Sequence, residues 1–171
     1  MRVDWESPLA GSTTKKVLVR RFDGQELAGY ASPATFLRPA GVEVLTRDGQ
    51  AQLVAYKDLK AVYFVREFVP PPGAEEKKLF QSRPKLEGLW IRMRFRDGDM
   101  LEGILPNDLL QLMDKGVTIT PPDPYSNNQR IFVPRLALSE LAVLGVIGSP
   151  LTKPRRKAQP AGKQQIELFG E

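Results

Sequence analysis

At 171 residues and 42% hydrophobic content, the chain is long enough for one medium or two small packed domains, and 15 prolines with 14 glycines favour turns over long helices. It has no cysteine and no histidine, which excludes Cys/His zinc sites, Cys–His and Ser–His–Asp nucleophile systems and disulfides. The formal charge is +5, but residues 149–171 hold five cations against two anions, so the basic balance belongs mostly to that segment and not to a basic globular face.

In chain order, residues 1–14 are polar and aperiodic apart from Trp5, and are expected to be a flexible lead-in. Residues 1–6 lack the apolar core of a signal peptide, and the longest apolar run, Leu141 to Ile147, is far too short to span a bilayer. The expectation is a soluble, cytoplasmic protein with no membrane partner. A first unit is expected over 15–69. Val17 and Val19 begin a strand, Glu26 to Tyr30 returns it, and Pro33 and Pro39 mark a loop. Val42 to Thr46 and Ala51 to Ala55 form a second hairpin, and Val62 to Val65 is a fifth strand. Residues 70–85 break the composition, since Pro70, Pro71 and Pro72 are stiff and the charges that follow keep the segment wet. The domain boundary is placed there.

A second unit is expected over 86–148. It opens on the cleanest alternation in the chain, with Leu89, Ile91, Met93 and Phe95 on one face and Trp90, Arg92, Arg94 and Arg96 on the other. Met100 to Leu105 returns that strand. Asn107 or Asp108 caps a short helical turn over 109–113, and strands follow at 117–120, 130–133 and 141–147. The two units share a stretch. Phe22-Asp23-Gly24 leads to Leu27 and Gly29, and Phe95-Arg96-Asp97-Gly98 leads to Leu101 and Gly103. The two Asp and the two closing Gly are each 74 residues apart. An Asp-Gly pair between alternating runs is a strong hairpin marker because both turn residues tolerate positive φ. The chain reads as two copies of one small β unit, with residues 149–171 as a flexible basic tail.

Five short strands with a first Asp-Gly hairpin and a Gly closing the second strand describe a small barrel. The pattern resembles Sm-like and SH3-like barrels, and resembles more closely uncharacterised bacterial domains with F-x-D-G-x-x-L-x-G followed by D-L-K-A-V-[FY]-F-V. Here those are Phe22 to Gly29, one residue shorter before Asp23, and Asp58 to Val65. Residues 122–133, Pro-Asp-Pro-Tyr-Ser-Asn-Asn-Gln-Arg-Ile-Phe-Val, are similar to the same family. The resemblance implies a mainly β fold of two tandem five-stranded barrels, and no activity.

Sm-type RNA binding needs an Asp and an Asn before the third strand, and neither 36–41 nor 112–116 supplies stacking plus an amide. A cyclic-dinucleotide PilZ barrel needs Arg-x-x-x-Arg and Asp-x-Ser motifs, for which Arg20-Arg21 and 123–126 are poor substitutes. Trp90, Arg92, Arg94 and Arg96 offer a nucleic-acid stripe with one stacking ring. The alternation itself predicts an ordinary outward face whose cations cover apolar neighbours, and that reading is favoured. The Asp, Ser and Asn of 123–130 are read as local turn chemistry. No nucleophile with a base, no phosphate loop and no metal or cofactor ligand set is apparent, so a non-enzymatic protein is expected.

The sharpest suggestion lies at Gln165-Ile166-Glu167-Leu168-Phe169. It resembles the bacterial sliding-clamp-binding peptide Gln-Leu-Ser/Asp-Leu-Phe. Gln165, Leu168 and Phe169 match, while Ile166 and Glu167 depart from the pattern conservatively. The resemblance implies docking on the DNA sliding clamp, with Lys153, Arg155, Arg156 and Lys157 adding non-specific attraction to DNA. The alternatives are a strand added to a barrel edge, a chance match, or a ligand- or protein-binding module whose tail is incidental.

Overall fold

Residues 13–108, 110 and 114–148 are described by the computed structural model of the chain. Alternating apolar positions set down ten strands: β1 (Lys15–Arg21), β2 (Glu26–Ala31), β3 (Gly41–Thr46), β4 (Ala51–Ala55), β5 (Leu59–Val65), β6 (Gly88–Phe95), β7 (Met100–Leu105), β8 (Gly116–Ile119), β9 (Asn128–Pro134) and β10 (Leu138–Ile147). A single 3-10 turn, Arg135–Ala137, joins β9 to β10. The fold is mainly β. The Asp23-Gly24 and Asp97-Gly98 turns are tied by the same three bonds. Gly24 N–H donates to Arg21 O at 3.2 Å, Arg21 N–H to Gln25 O at 3.0 Å, and Gln25 N–H to the Asp23 carboxylate at 2.9 Å. The second turn repeats them at Gly98, Phe95 and Asp99. Of the turn residues only the glycines have positive φ, 83° at Gly24 and 89° at Gly98, and among the described residues no other residue type does. The expectation of positive φ at both turn residues is therefore corrected: the Asp stays on the ordinary side because its carboxylate holds the amide two residues on.

The duplication is visible in the register. Adding 74 to the β1–β2 ladder, which runs from Lys15↔Ala31 to Arg20↔Glu26, yields the β6–β7 ladder from Leu89↔Leu105 to Arg94↔Met100. The β1–β5 ladder maps in the same way onto β6–β10, with the second strand offset by 79: Val17↔Phe64 becomes Ile91↔Val143, and Arg21↔Leu59 becomes Phe95↔Leu138. Both ladders skip one residue at the same place, Lys60 in β5 and Ser139 in β10. The bridge Tyr30↔Leu45 has its counterpart in Ile104↔Thr120.

The two copies do not close as separate barrels, which corrects the two-barrel expectation. The strands form two antiparallel sheets, of seven in the order β4-β3-β2-β1-β5-β9-β8 and of three in the order β10-β6-β7. Closure of the first unit would need β4 on β5. Instead β9 of the second unit takes that edge, from Val62↔Phe132 to Val65↔Asn128. The two cores cross over accordingly. The first contains Val17, Val19, Val44, Val62 and Phe64 and is completed by Phe132 from the second unit. The second contains Ile91, Met93, Leu105 and Ile119 and is completed by Leu18, Ala61 and Tyr63 from the first. Phe132 sits edge-on to Phe36 at 5.3 Å, and Phe36 edge-on to Phe64 at 5.3 Å.

Residues 70–85 form no strand but are pinned to the second unit. Lys78 O accepts from Glu102 N–H at 2.7 Å, and Phe80 packs edge-on to Trp90 at 6.0 Å. The helical turn expected over 109–113 falls largely outside the described residues. Within the described residues Leu110 N–H donates to the Asp108 carboxylate at 3.0 Å.

Candidate functional site

The alternation read from sequence puts Ile91, Met93 and Phe95 in the core and Arg92 and Arg94 in solvent. The cations of the stripe each have an intramolecular partner. Arg92 donates through Nε at 2.8 Å and Nη2 at 2.6 Å to Glu102, a carboxylate that is 1% exposed. Trp90 Nε1 at 3.2 Å and Phe80 N–H at 2.9 Å complete the shell of that carboxylate. Arg94 lies 3.7 Å from Glu140, its cross-strand neighbour. Arg96 covers the Phe22 ring at 3.8 Å and donates to Lys57 O. Two of the three arginine charges are thus answered by carboxylates, which lowers the field the stripe presents to a phosphate backbone.

A second polar cluster joins the units at their Asp-Gly turns. Lys60, the residue skipped in the β1–β5 ladder, reaches Asp97 at 2.6 Å and Asp99 at 3.2 Å, and Lys78 meets Asp99 at 2.9 Å. Burial opposes charge at Asp97 and Asp99, but the lysine contacts prevail and hold both carboxyls below their ordinary value. Burial likewise opposes charge on Lys60, and the same two aspartates raise its pKa. A third cluster sets Arg20 between Glu26 and Glu76, with its guanidinium 4.2 Å over the Tyr63 ring. Burial and the neighbouring Glu76 push the Tyr63 hydroxyl well above its usual range. In both clusters the shifted groups move away from neutral pH. They act as fixed charges and struts and are not poised for proton transfer there.

The 123–130 loop shows a split outcome. Ser126 bonds locally, its hydroxyl and N–H both donating to Asp123 O, as turn chemistry predicts. Asn127 instead crosses to the first unit, where its amide accepts from Glu67 N–H and donates to Glu67 O, each at 2.9 Å. That clamp was not foreseen, because an Asn among Asp and Ser reads as one more local turn former. Sequence reasoning also passed over β10. Its core-side Leu141 and Val143 are 39% and 56% exposed, beside a mixed cavity of about 520 Å³ where Leu136, Leu138 and Leu141 meet Asp114, Arg135 and Glu140. The sequence marked 141–147 as a strand and as the longest apolar run, but nothing in it distinguishes a covered strand from an uncovered one.

The clamp-like residues Gln165, Ile166, Glu167, Leu168 and Phe169, and the basic residues Lys153, Arg155, Arg156 and Lys157, lie outside the described residues. Among the described residues no three or more Asp or Glu gather to hold a metal ion, and no helix is long and apolar enough to cross a membrane. No curated protein matches the chain, and no solved structure matches it. A match across residues 13–145, which takes in both copies of the β unit, places the chain in a family described as "Family of unknown function (DUF6982)".

Proposed function

We propose that this chain is a non-enzymatic adaptor, linked to DNA replication or repair, whose duplicated β body carries a docking peptide for the bacterial DNA sliding clamp. The observation that carries the reading is Gln165-Ile166-Glu167-Leu168-Phe169, set after the basic, proline-containing residues 153–160. In such a complex the peptide docks extended, Leu168 and Phe169 fill an apolar cleft, and the Gln165 amide bonds at its rim. Two buried side chains contribute about 1.5–3 kcal/mol each, and a few hydrogen bonds about 1 kcal/mol each. Against the cost of ordering the segment, this leaves roughly micromolar affinity, in the range for a tethered adaptor. Lys153, Arg155, Arg156 and Lys157 add salt-sensitive attraction to DNA near the clamp. The matching strand order of the two units supports descent from an Sm-like or SH3-like small barrel in opened form. The test is fluorescence anisotropy of a labelled 161–171 peptide, and of the labelled full chain, against purified sliding clamp. Binding that is lost in Leu168→Ala/Phe169→Ala supports the reading; no binding at clamp concentrations about tenfold above that affinity, in the tens of micromolar, sinks it.

A second reading makes the body itself the binding element and the peptide incidental. The exposed inner face of β10 and its adjoining cavity favour it. An unchanged partner profile in a chain lacking 161–171 is its expected outcome.

A further inference from the structure

The junction between the two units is itself an edge-to-edge strand contact, and the chain carries an unused copy of each half of it. β5 gives one edge to β1 and the other to β9. β10, its equivalent, pairs only with β6 among the described strands. Likewise β9 lies between β5 and β8, whereas β4, its equivalent, pairs only with β3 among the described strands. We infer that the β10 edge of one chain receives the β4 edge of a second copy, in the register already used between β5 and β9.

The register follows from the duplication. Shifting β5 forward by 79 residues and β9 back by 79 turns Val62↔Phe132 into Leu141↔Leu53, Tyr63↔Ile131 into Ala142↔Gln52, and Phe64↔Arg130 into Val143↔Ala51. The β9 shift is the one that aligns Val133 with Val54 and Pro134 with Ala55 in their own ladders. Every residue brought together is uncharged. Solvent-facing edges are ordinarily guarded by lysine, proline or an inward charge. Residues 51–55 and 141–147 hold none of these, and the one other guard in them is the bulge at Leu144 of β10, just past the proposed pairs.

The packing also points to this occupant. In the first unit Val62 is fully buried because Phe132, arriving on β9, completes the core above it. In the second unit the matching Leu141 is 39% exposed, and Leu53, the residue matching Phe132, is 50% exposed at the far edge of the molecule. Docking β4 of another copy places Leu53 where Phe132 sits in the internal junction and covers Leu141 and Val143. The contact is heterologous, edge to opposite edge, so it repeats from copy to copy until it closes on itself.

The chain has no native cysteine, so single introduced thiols report on the contact directly. Chains carrying Leu53→Cys and Leu141→Cys, mixed and treated with a short bismaleimide, should yield a crosslinked pair. The yield should exceed several-fold that of either chain alone, or of Leu45→Cys mixed with Leu141→Cys. Light scattering of the unmodified full chain at micromolar concentration should give a multiple of 19.1 kDa. Leu141→Lys/Val143→Lys, both at partly exposed positions, should return the mass to that of one chain while a single cooperative unfolding transition is kept. The proposal is overturned by a single-chain mass throughout the micromolar range, which includes the case in which residues 149–171 of the same chain occupy the edge. It is equally overturned by crosslinking as strong in Leu53→Cys alone, or by assembly that survives the double lysine variant.

Discussion

β5 and β10 hold the same place in the two copies, share a ladder and skip a residue at the same point, yet they meet opposite surroundings. Val62 and Phe64 of β5 are 0% and 5% exposed, against 39% and 56% for Leu141 and Val143 of β10. The difference does not arise within the strands, since both are apolar and both pair with the first strand of their unit. It comes from the next strand along: β5 receives β9 and with it Phe132, and β10 receives nothing among the described residues. Burial is therefore a property of the junction, and a duplicated fold exposes at its end what it buries in its middle.

The largest effect should come from cutting that junction. Phe132→Ala removes a fully buried ring that the second unit lends to the first, and should cost about 3–5 kcal/mol. Urea unfolding of this variant should remain one transition, because each core contains residues of both units. Two separated transitions would show that the units are independent.

The outer faces sharpen the comparison. The cross-strand pair Leu18↔Ala28 of the first unit becomes Arg92↔Glu102 in the second. Leu18 packs into the neighbouring core, while the Glu102 carboxylate is buried under Arg92, Trp90 and the docked residues 78–80. Arg92→Leu leaves that carboxylate short of its cation and should cost about 1–3 kcal/mol. Arg92→Leu/Glu102→Ala restores the apolar pair of the first unit and should regain most of the loss, since an apolar replacement of a buried ion pair is often neutral. Thermal unfolding of the single and double variants measures both. A double variant no better than the single would place the weight on the bonds from Trp90 and Phe80.

The turns come next. Gly98→Val forces a β-branched residue to a φ of 89° and should cost about 1–2 kcal/mol. Asp99→Ala loses a half-buried contact to Lys60 and an exposed one to Lys78 and should cost less, about 0.2–1 kcal/mol. Equal melting temperatures would count against the turn assignment. The smallest effect is on pH dependence. Asp97 and Asp99 have lowered pKa values, so the stability they supply is present above the ordinary carboxyl range and is lost as pH falls through their folded values. Lys60→Met should flatten that acid limb and leave stability near neutrality only slightly reduced. An acid limb of unchanged steepness would show that Lys60 does not set it.

How much of this could be read beforehand depended on range. The strands, the Asp-Gly hairpins and the 74-residue repeat depend on neighbours a few positions apart, and alternation at Ile91, Met93 and Phe95 was enough to assign buried and exposed faces. Open sheets in place of closed barrels were not readable. Whether β5 accepts β4 or β9 depends on the relative fit of Phe132 and Leu53, two residues 79 apart with similar local patterns. Asn127 was misread for a related reason, because its partner at Glu67 is 60 residues away. Of the candidate site residues, the Trp90–Arg96 stripe was placed on the correct face, but its carboxylate partners at Glu102 and Glu140 lie on other strands.

Amide hydrogen exchange, followed strand by strand while the full chain is diluted, tests the comparison of β5 and β10 most directly. The account predicts slow exchange in β5 at every concentration, because both its edges are paired within the chain. Protection of β10 and of Ala51 to Ala55 in β4 should rise and fall together with concentration. Protection of β10 equal to that of β5 at the greatest dilution, or a β10 that stays unprotected when β4 gains protection, would contradict it.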